Sequence, residues 1–355
     1  METIDNKGSV LKLSLLALAI VAVAGCSSGG SSSQPIDQDD PGQTDGGGGS
    51  SDSGGSSGDS GGGSGDGGGS SDPGQDFTYK TINPIEEIPV GEEFRLDSVT
   101  ANATPSSSGV TMNQQPVLDH AAMIEVLPNG PNGESRIRLN APIAGVENRD
   151  FTEGRAPYIF DNGEDNDIRI RSVEHESEQF LNGSLNYAAF GEWVIRNSGG
   201  DSDASYFATG YDTHLNDMPS TGSASYSGAA RGIVIIDNGQ PGNLFGQANM
   251  SVNFADRTLN GSLTNMTAMD TENGAIQQPW NNINLAGGLD DSGNRFAGIT
   301  EVISSPGNDA SLSTDAEGEF RGRFYGPGAA EAAAVWSVKD PNGSAAFGAF
   351  GVKKD

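Results

Sequence analysis

Hydrophobic positions fall into three regimes along the chain. Leu13–Ala24 is an apolar run broken only by Ser14. Residues 27–75 contain no large apolar residue apart from Ile36. From residue 76 onward, large apolar residues recur in short runs, separated roughly every 8–12 residues by Gly, Asn, Asp, Ser or Pro, the spacing of an all-β sandwich or barrel. Runs of this kind are Glu192–Arg196, Gly232–Asp237, Asn249–Phe254, Thr258–Leu263, Arg295–Val302, Glu319–Tyr325 and Ala345–Val352. Residues 319–325 alternate cleanly. Phe320, Gly322 and Phe324 share one face, and Arg321, Arg323 and Tyr325 share the other. Glycine recurring on the apolar face suits a small, strongly curved barrel, where a side chain would crowd the interior. Two segments depart from the pattern and predict short helices. Asp119–Leu127 allows one or two turns, and Gly328–Val335 is Ala-rich just after Pro327, a favourable first helical residue.

The apolar run at 13–24 is too short to span a bilayer as a helix and fits the core of a secretory signal. Lys7 and Lys12 precede it, and Val23-Ala24-Gly25-Cys26 ends it. That ending resembles the bacterial lipoprotein signal, in which residues 1–25 are removed and the new N-terminal Cys26 is acylated. Acyl chains add about 0.8 kcal/mol of membrane affinity per buried methylene. Ser27 and Ser28 follow, with no Asp of the inner-membrane retention type. The expected location is therefore the outer membrane, lipid-anchored.

Residues 27–75 comprise 18 Gly, 14 Ser and 8 Asp among 49. Such a stretch cannot offset its own ordering entropy, so 26–75 is read as a disordered tether. Its root-mean-square reach is about 35–42 Å. The remaining 280 residues, 76–355, read as all-β.

Charge narrows the partners. Lys+Arg number 19 against 48 Asp+Glu, a net charge of -29. A chain this acidic is not a nucleic-acid binder, because nothing neutralises a run of phosphates. It favours a basic ligand, protein or small molecule, and speeds encounter with it at low salt. One cysteine excludes an intrachain disulfide framework and multi-cysteine metal sites.

The segment Gly322-Arg-Phe-Tyr-Gly-Pro-Gly-Ala-Ala-Glu331, followed by Ala334–Val338 and Gly348–Lys354, resembles the C-terminal signature of the transferrin-binding protein B β-barrel family. Val252–Leu263 is similar to a hairpin of that family and Asn294–Gly298 to its next strand, with Tyr187–Val194 as a first strand. The resemblance implies an eight-stranded antiparallel soluble barrel at 181–355 behind a handle-like β-rich domain at 76–180, in a single-barrel member of the family exposed at the cell surface. Its structural signature here is Gly322, Phe324, Tyr325, Gly326, Pro327, Glu331, Phe347, Gly348, Phe350 and Gly351. Ala332-Ala333-Ala334 stands where the family often has Gly-Gly. The implied function is a surface lipoprotein binding a host or environmental macromolecule or nutrient, iron- or haem-related, through barrel and handle loops. An outer-membrane lipoprotein assembly modulator is an implied partner. The alternative is a structural or shielding lipoprotein without a specific ligand.

Catalytic patterns are sparse. His120, His175 and His214 are unpaired in sequence and read as loop histidines. Asp161–Asp167 is an acidic loop without calcium-loop spacing, and Glu174–Glu178 reads as solvated charge. Gly58-Asp-Ser-Gly lies in the tether rather than at a strand-to-helix elbow. The chain is read as a non-enzyme, with no cofactor and no metal site. Glu331 either accepts backbone N–H bonds at the turn or faces solvent.

Overall fold

The computed structural model describes residues 77–82, 87–106, 109–154, 159–162, 167–171, 185–237, 239–270, 277–291 and 293–355. The signal segment, Cys26, the tether, His175, residues 174–178 and most of the 161–167 loop lie outside the described residues.

Ten antiparallel strands form the first sheet: β1 (Glu93–Arg95), β2 (Asp97–Ser106), β3 (Gly109–Asp119), β4 (Met123–Leu127), β5 (Arg136–Ala141), β6 (Val146–Glu153), β7 (Ile159–Asp161), β8 (Asp167–Arg171), β9 (Ala188–Arg196) and β10 (Ser202–Gly210). Their spatial order is β1-β4-β5-β6-β7-β8-β9-β10-β2-β3. The sheet curls around a core that includes Phe94, Leu139, Phe151, Phe160, Trp193 and Phe207. Trp193 and Phe207 stack with centroids 5.4 Å apart.

The second sheet starts at Ser223. It comprises β11 (Ser223–Ile235), β12 (Pro241–Asn253), β13 (Thr258–Asp270), the short β14 (Gln277–Pro279), β15 (Asn282–Leu289), β16 (Arg295–Ser304), β17 (Glu317–Tyr325), β18 (Glu331–Lys339) and β19 (Ala345–Lys354). Pairing of β12 with β13 joins the ends of the row and closes eight strands into an antiparallel barrel, with β14 as a spur on β13. The interior is apolar, with Phe296, Phe320, Phe324, Trp336 and Phe350 fully buried. Each such side chain contributes about 1.5–3 kcal/mol on burial. The outer wall away from the first sheet carries Arg295, Glu301, Glu317 and Glu319, all exposed. Apolar inside and polar outside is the reverse of a transmembrane barrel.

The rest of the outer wall docks on the first sheet. Val99, Phe190 and Tyr206 of one sheet pack with Tyr325, Val335 and Phe347 of the other, and Tyr206 meets Phe347 edge-on at 5.9 Å. Strands β9 and β10 are thus packed on both faces, against the barrel on one side and the curled remainder of their own sheet on the other.

Several expectations are corrected. Residues 123–127 form β4, paired with both β1 and β5, instead of a helical turn. The Ala-rich stretch is the strand β18, between β17 and β19. Ala332, Ala333 and Ala334 are fully buried there, and ladder pairing on both sides overrides alanine's helix preference. Tyr187–Val194 does not open the barrel; β9 pairs with β8 and β10 in the first sheet. The sheets change over between Gly210 and Ser223 rather than at 180. The β17 face that carries Arg323 and Tyr325 is buried at those two residues, where the first sheet covers it.

Candidate functional site

The signature residues Phe324 to Glu331, with Phe350 and Gly351, gather towards one end of the barrel, whereas Phe347 and Gly348 lie near the 340–344 turn at the other. Gly322, Phe324 and Phe350 occupy the inward-facing rows of β17 and β19, as does Gly348 opposite Trp336. Phe347 and Tyr325 are on the outer wall, in the seam with the first sheet. Gly351 also faces that seam, where an added Cβ would lie 2.6 Å from Leu185 and 2.8 Å from the Phe190 ring.

Between β17 and β18, Gly326 and Gly328 have φ of 70° and 57°, and Pro327 is exposed at the tip. Gly326 donates its N–H to the Tyr211 carbonyl at 3.0 Å, and its own carbonyl accepts from Thr213 Oγ1 at 2.7 Å. Gly328 N–H donates to Asp217 Oδ2 at 2.9 Å. Glu331 is 1% exposed. Its carboxylate accepts backbone N–H bonds from Asn186, Tyr187 and Ala188 at 2.7, 2.8 and 2.9 Å. The donors come from the start of the β9 segment, not from the turn beside Glu331. Burial pushes this carboxyl above the usual range, opposed by the three N–H bonds and by Lys353.

The first described residues strap this joint. Tyr79 donates its hydroxyl to Asp217 Oδ2 at 2.8 Å and accepts from His214 N–H at 3.0 Å. Phe77 stacks on the His214 ring at 4.0 Å, and Ile82 N–H donates to the Asn186 carbonyl at 2.7 Å. His120, by contrast, sits 3.3 Å from Arg321 at the outer wall. The fold brings neither histidine into a catalytic or ligating group. Among the described residues no cluster of three or more His, Cys, Asp or Glu is arranged to hold a metal.

The opposite end of the barrel is built differently. There Gly239 and the 340–344 turn meet β3, where Val110 N–H donates to the Gly239 carbonyl at 2.9 Å and Gln115 Nε2 to the Gly343 carbonyl at 2.9 Å. The 305–316 loop is held by its own bonds. Trp280 Nε1 donates to the Ala310 carbonyl at 2.8 Å, and the Asn281 amide exchanges two 2.9 Å bonds with the Leu312 backbone. Leu312 plugs the barrel, buried to 1%. Asp340 Oδ2 accepts Ser313 N–H at 2.6 Å and ties this loop to the β18–β19 turn. Asp237, Asp309, Asp315 and Glu317 are exposed at this end. Acidic loops thus stand on a rigid scaffold, where binding surfaces usually reside. Sequence reasoning missed the Trp280–Asn281–Leu312 clamp altogether. The Asp340-Pro-Asn-Gly turn was open to detection from its composition.

The molecule is therefore an all-β protein in which a closed, apolar-filled barrel is keyed to a curled sheet and carries ordered loops at its far end. Residues 218–354 match the family described as the C-lobe and N-lobe β-barrels of Tf-binding protein B. All eight barrel strands lie inside that span, so the match covers the whole barrel. No curated protein matches the chain in sequence. Similar solved structures include a transferrin binding protein B variant from Haemophilus parasuis Hp5, with 18% identity and a TM-score of 0.42 over 73% of this chain and 45% of that one. The apo haemoglobin receptor HpuA from Kingella denitrificans is similar at 13% identity and TM-score 0.37, over 76% of this chain and 88% of that one. Isotype 1 transferrin binding protein B from serogroup B Neisseria meningitidis is similar at 14% and 0.34, over 75% and 78%. The chain spans about half the length of the first of these.

Proposed function

We propose that this chain is an outer-membrane lipoprotein, anchored through acylated Cys26 and displayed at the cell surface, that binds an iron- or haem-carrying protein through its loop end. The observation that carries this reading is the polarity of the molecule. The chain enters the described fold at Phe77, on the joint end beside Asp217 and His214. The ordered acidic loops are at the other end of the same barrel. A tether leaving from the joint presents those loops outward. The family match supports a binding role, since it covers the whole barrel. Net charge favours a partner with a basic surface. Delivery to the surface by an outer-membrane lipoprotein assembly modulator completes the reading.

Cells expressing the full chain provide the test. Labelled transferrin and labelled haemoglobin are applied separately, with and without protease shaving. Saturable binding of one of them, lost on shaving and lost when Cys26→Ser prevents anchoring, is the expected result. Binding of neither protein, or a chain protected from shaving, overturns the reading.

A further inference from the structure

Two large apolar side chains stand exposed on one strand of the barrel wall that faces away from the first sheet. Ile299 and Ile303 are 54% and 56% exposed. They lie four residues apart on β16, about 13 Å along the strand, with Glu301 between them on the same face. The register slips at Asn282/Ile283, so Val302 and Ser304 face successive residues and Ile303 is the extra, bulged residue.

The surroundings define a shallow surface. On one side β15 places Ala286 opposite Ile299 and Gly288 opposite Ala297, a low floor of small residues. On the other side β17 places Glu319 opposite Ile299 and Glu317 opposite Glu301. Like charges directly opposed on neighbouring strands destabilise a sheet. Among the described residues no ion pair reaches Glu301, Glu317 or Glu319. The bordering bases are Lys339, which faces Glu317 from β18, and Arg321, which reaches towards His120.

We infer that this wall is a docking surface for a protein segment that alternates apolar and basic side chains. Apolar side chains of the partner cover Ile299 and Ile303, and its lysines or arginines meet Glu301, Glu317 and Glu319. Charge complementarity selects this occupant. A membrane of anionic headgroups is repelled by the three carboxylates, and a second copy of the wall would set acid against acid. The inference rests on the binding role proposed above and assigns that role a second contact area, on the wall rather than on the loops.

The test uses the full chain and three fluorescent octapeptides of alternating Leu-Lys, Ser-Lys and Leu-Glu. Anisotropy titration is expected to show saturable binding of the Leu-Lys peptide, with the other two at least tenfold weaker. Ile299→Ser/Ile303→Ser and Glu301→Gln/Glu317→Gln each weaken Leu-Lys binding at least tenfold. Glu147→Gln, on β6 of the first sheet and away from both the wall and the loop end, leaves it unchanged, and thermal melts confirm that all variants fold. Unchanged binding in either wall variant, or equal binding of Ser-Lys and Leu-Lys, overturns the inference. So does sedimentation showing a wild-type dimer that the isoleucine variant abolishes, which makes the wall a self-interface. If labelled transferrin and haemoglobin fail to bind cells while the peptide results hold, the proposed function falls and the wall stands. If they bind and the wall variants change nothing, the reverse is true.

Discussion

Arg323 Nε on the barrel donates to Asp97 Oδ2 on the first sheet at 3.0 Å, a bond between residues 226 positions apart. Both side chains are nearly sealed from solvent, at 6% and 5% exposure. Arg323 Nη1 also donates to Asp212 Oδ2 at 2.9 Å, but the Asp212 side chain is 41% exposed. Burial alone would lower the guanidinium's pKa, yet the two carboxylates hold it above its ordinary value. The seam therefore contains a buried charge pair whose two halves belong to different sheets.

Breaking one half of that pair leaves the other charge buried alone. Arg323→Met is expected to destabilise the fold by about 3–5 kcal/mol. Asp97→Asn combined with Arg323→Met recovers much of the loss, because the carboxylate it leaves unpaired, Asp212, is 41% exposed. Asp212→Asn costs under about 1 kcal/mol, as its partner contact is open to water. Urea denaturation of the four proteins checks the ordering; a double variant no more stable than Arg323→Met contradicts it.

Glu331 makes the second tie across the seam. Removing its carboxylate strands the buried Ala188 N–H and the part-buried Asn186 and Tyr187 N–H groups, and a buried unmet donor costs about 1–3 kcal/mol. Glu331→Ala is thus expected to lose about 1–3 kcal/mol or more, and Glu331→Gln a smaller amount, since the amide keeps one acceptor oxygen. The pH dependence has a definite sign. Burial raises the Glu331 carboxyl in the folded state, so its favourable contribution is complete below the ordinary glutamate range and declines as pH rises through the raised value. Glu331→Gln removes that decline. Midpoints of unfolding measured across the acid range for wild type and Glu331→Gln test this; parallel curves would show that Glu331 does not titrate abnormally.

These ties explain what the sequence did and did not disclose. Barrel strands were legible because alternation such as Phe320-Arg321-Gly322-Arg323-Phe324 is a local property. Which sheet a strand joins is not local. Tyr187–Val194 reads like any other strand, and only its pairing with β8 and β10 places it in the first sheet. The Ala332–Ala334 run misleads because alanine's small size, not its helix propensity, is what the crowded wall selects. An added Cβ on the facing Gly322 would already lie 2.5 Å from Ala334 Cβ. Glu331 was visible as part of a signature, but its partners lie about 145 residues away in sequence. Asp97 and Arg323 gave no signal, since in sequence they are simply charged residues in alternating strands.

The turn that carries Glu331 depends on Gly326. Its φ of 70° disfavours side chains, and an added Cβ would sit 2.3 Å from the Tyr187 ring. Gly326→Ala therefore forces both strain and displacement of a side chain that lies beside the Glu331 donors. The expected cost exceeds the roughly 1–2 kcal/mol of left-handed strain alone. Gly328→Ala is the control, with φ of 57° but nothing within 4 Å of the added atom. Thermal melts should rank Gly326→Ala well below Gly328→Ala; equal losses would mean that the contact with Tyr187 relaxes freely.

Tyr79 and Tyr211 fasten the entering chain to the joint and give it an alkaline limit. Burial pushes the Tyr79 hydroxyl up to about 12, with the Asp217 hydrogen bond and charge adding to the rise and the His214 N–H opposing it. Burial and the Glu92 charge push Tyr211 up to about 12 as well. The ordinary tyrosine value is 10.0. The folded state thus holds these protons where the unfolded chain releases them, so their contribution is full below pH 10 and is lost as pH rises towards 12. Stability should fall across that window, and tyrosinate absorbance in the folded protein should include a late-titrating component. Tyr79→Phe removes part of that component and flattens the fall, while losing the bond to Asp217. If spectrophotometric titration of the folded protein shows every tyrosine ionising near pH 10, the strap at 77–82 does not shield Tyr79.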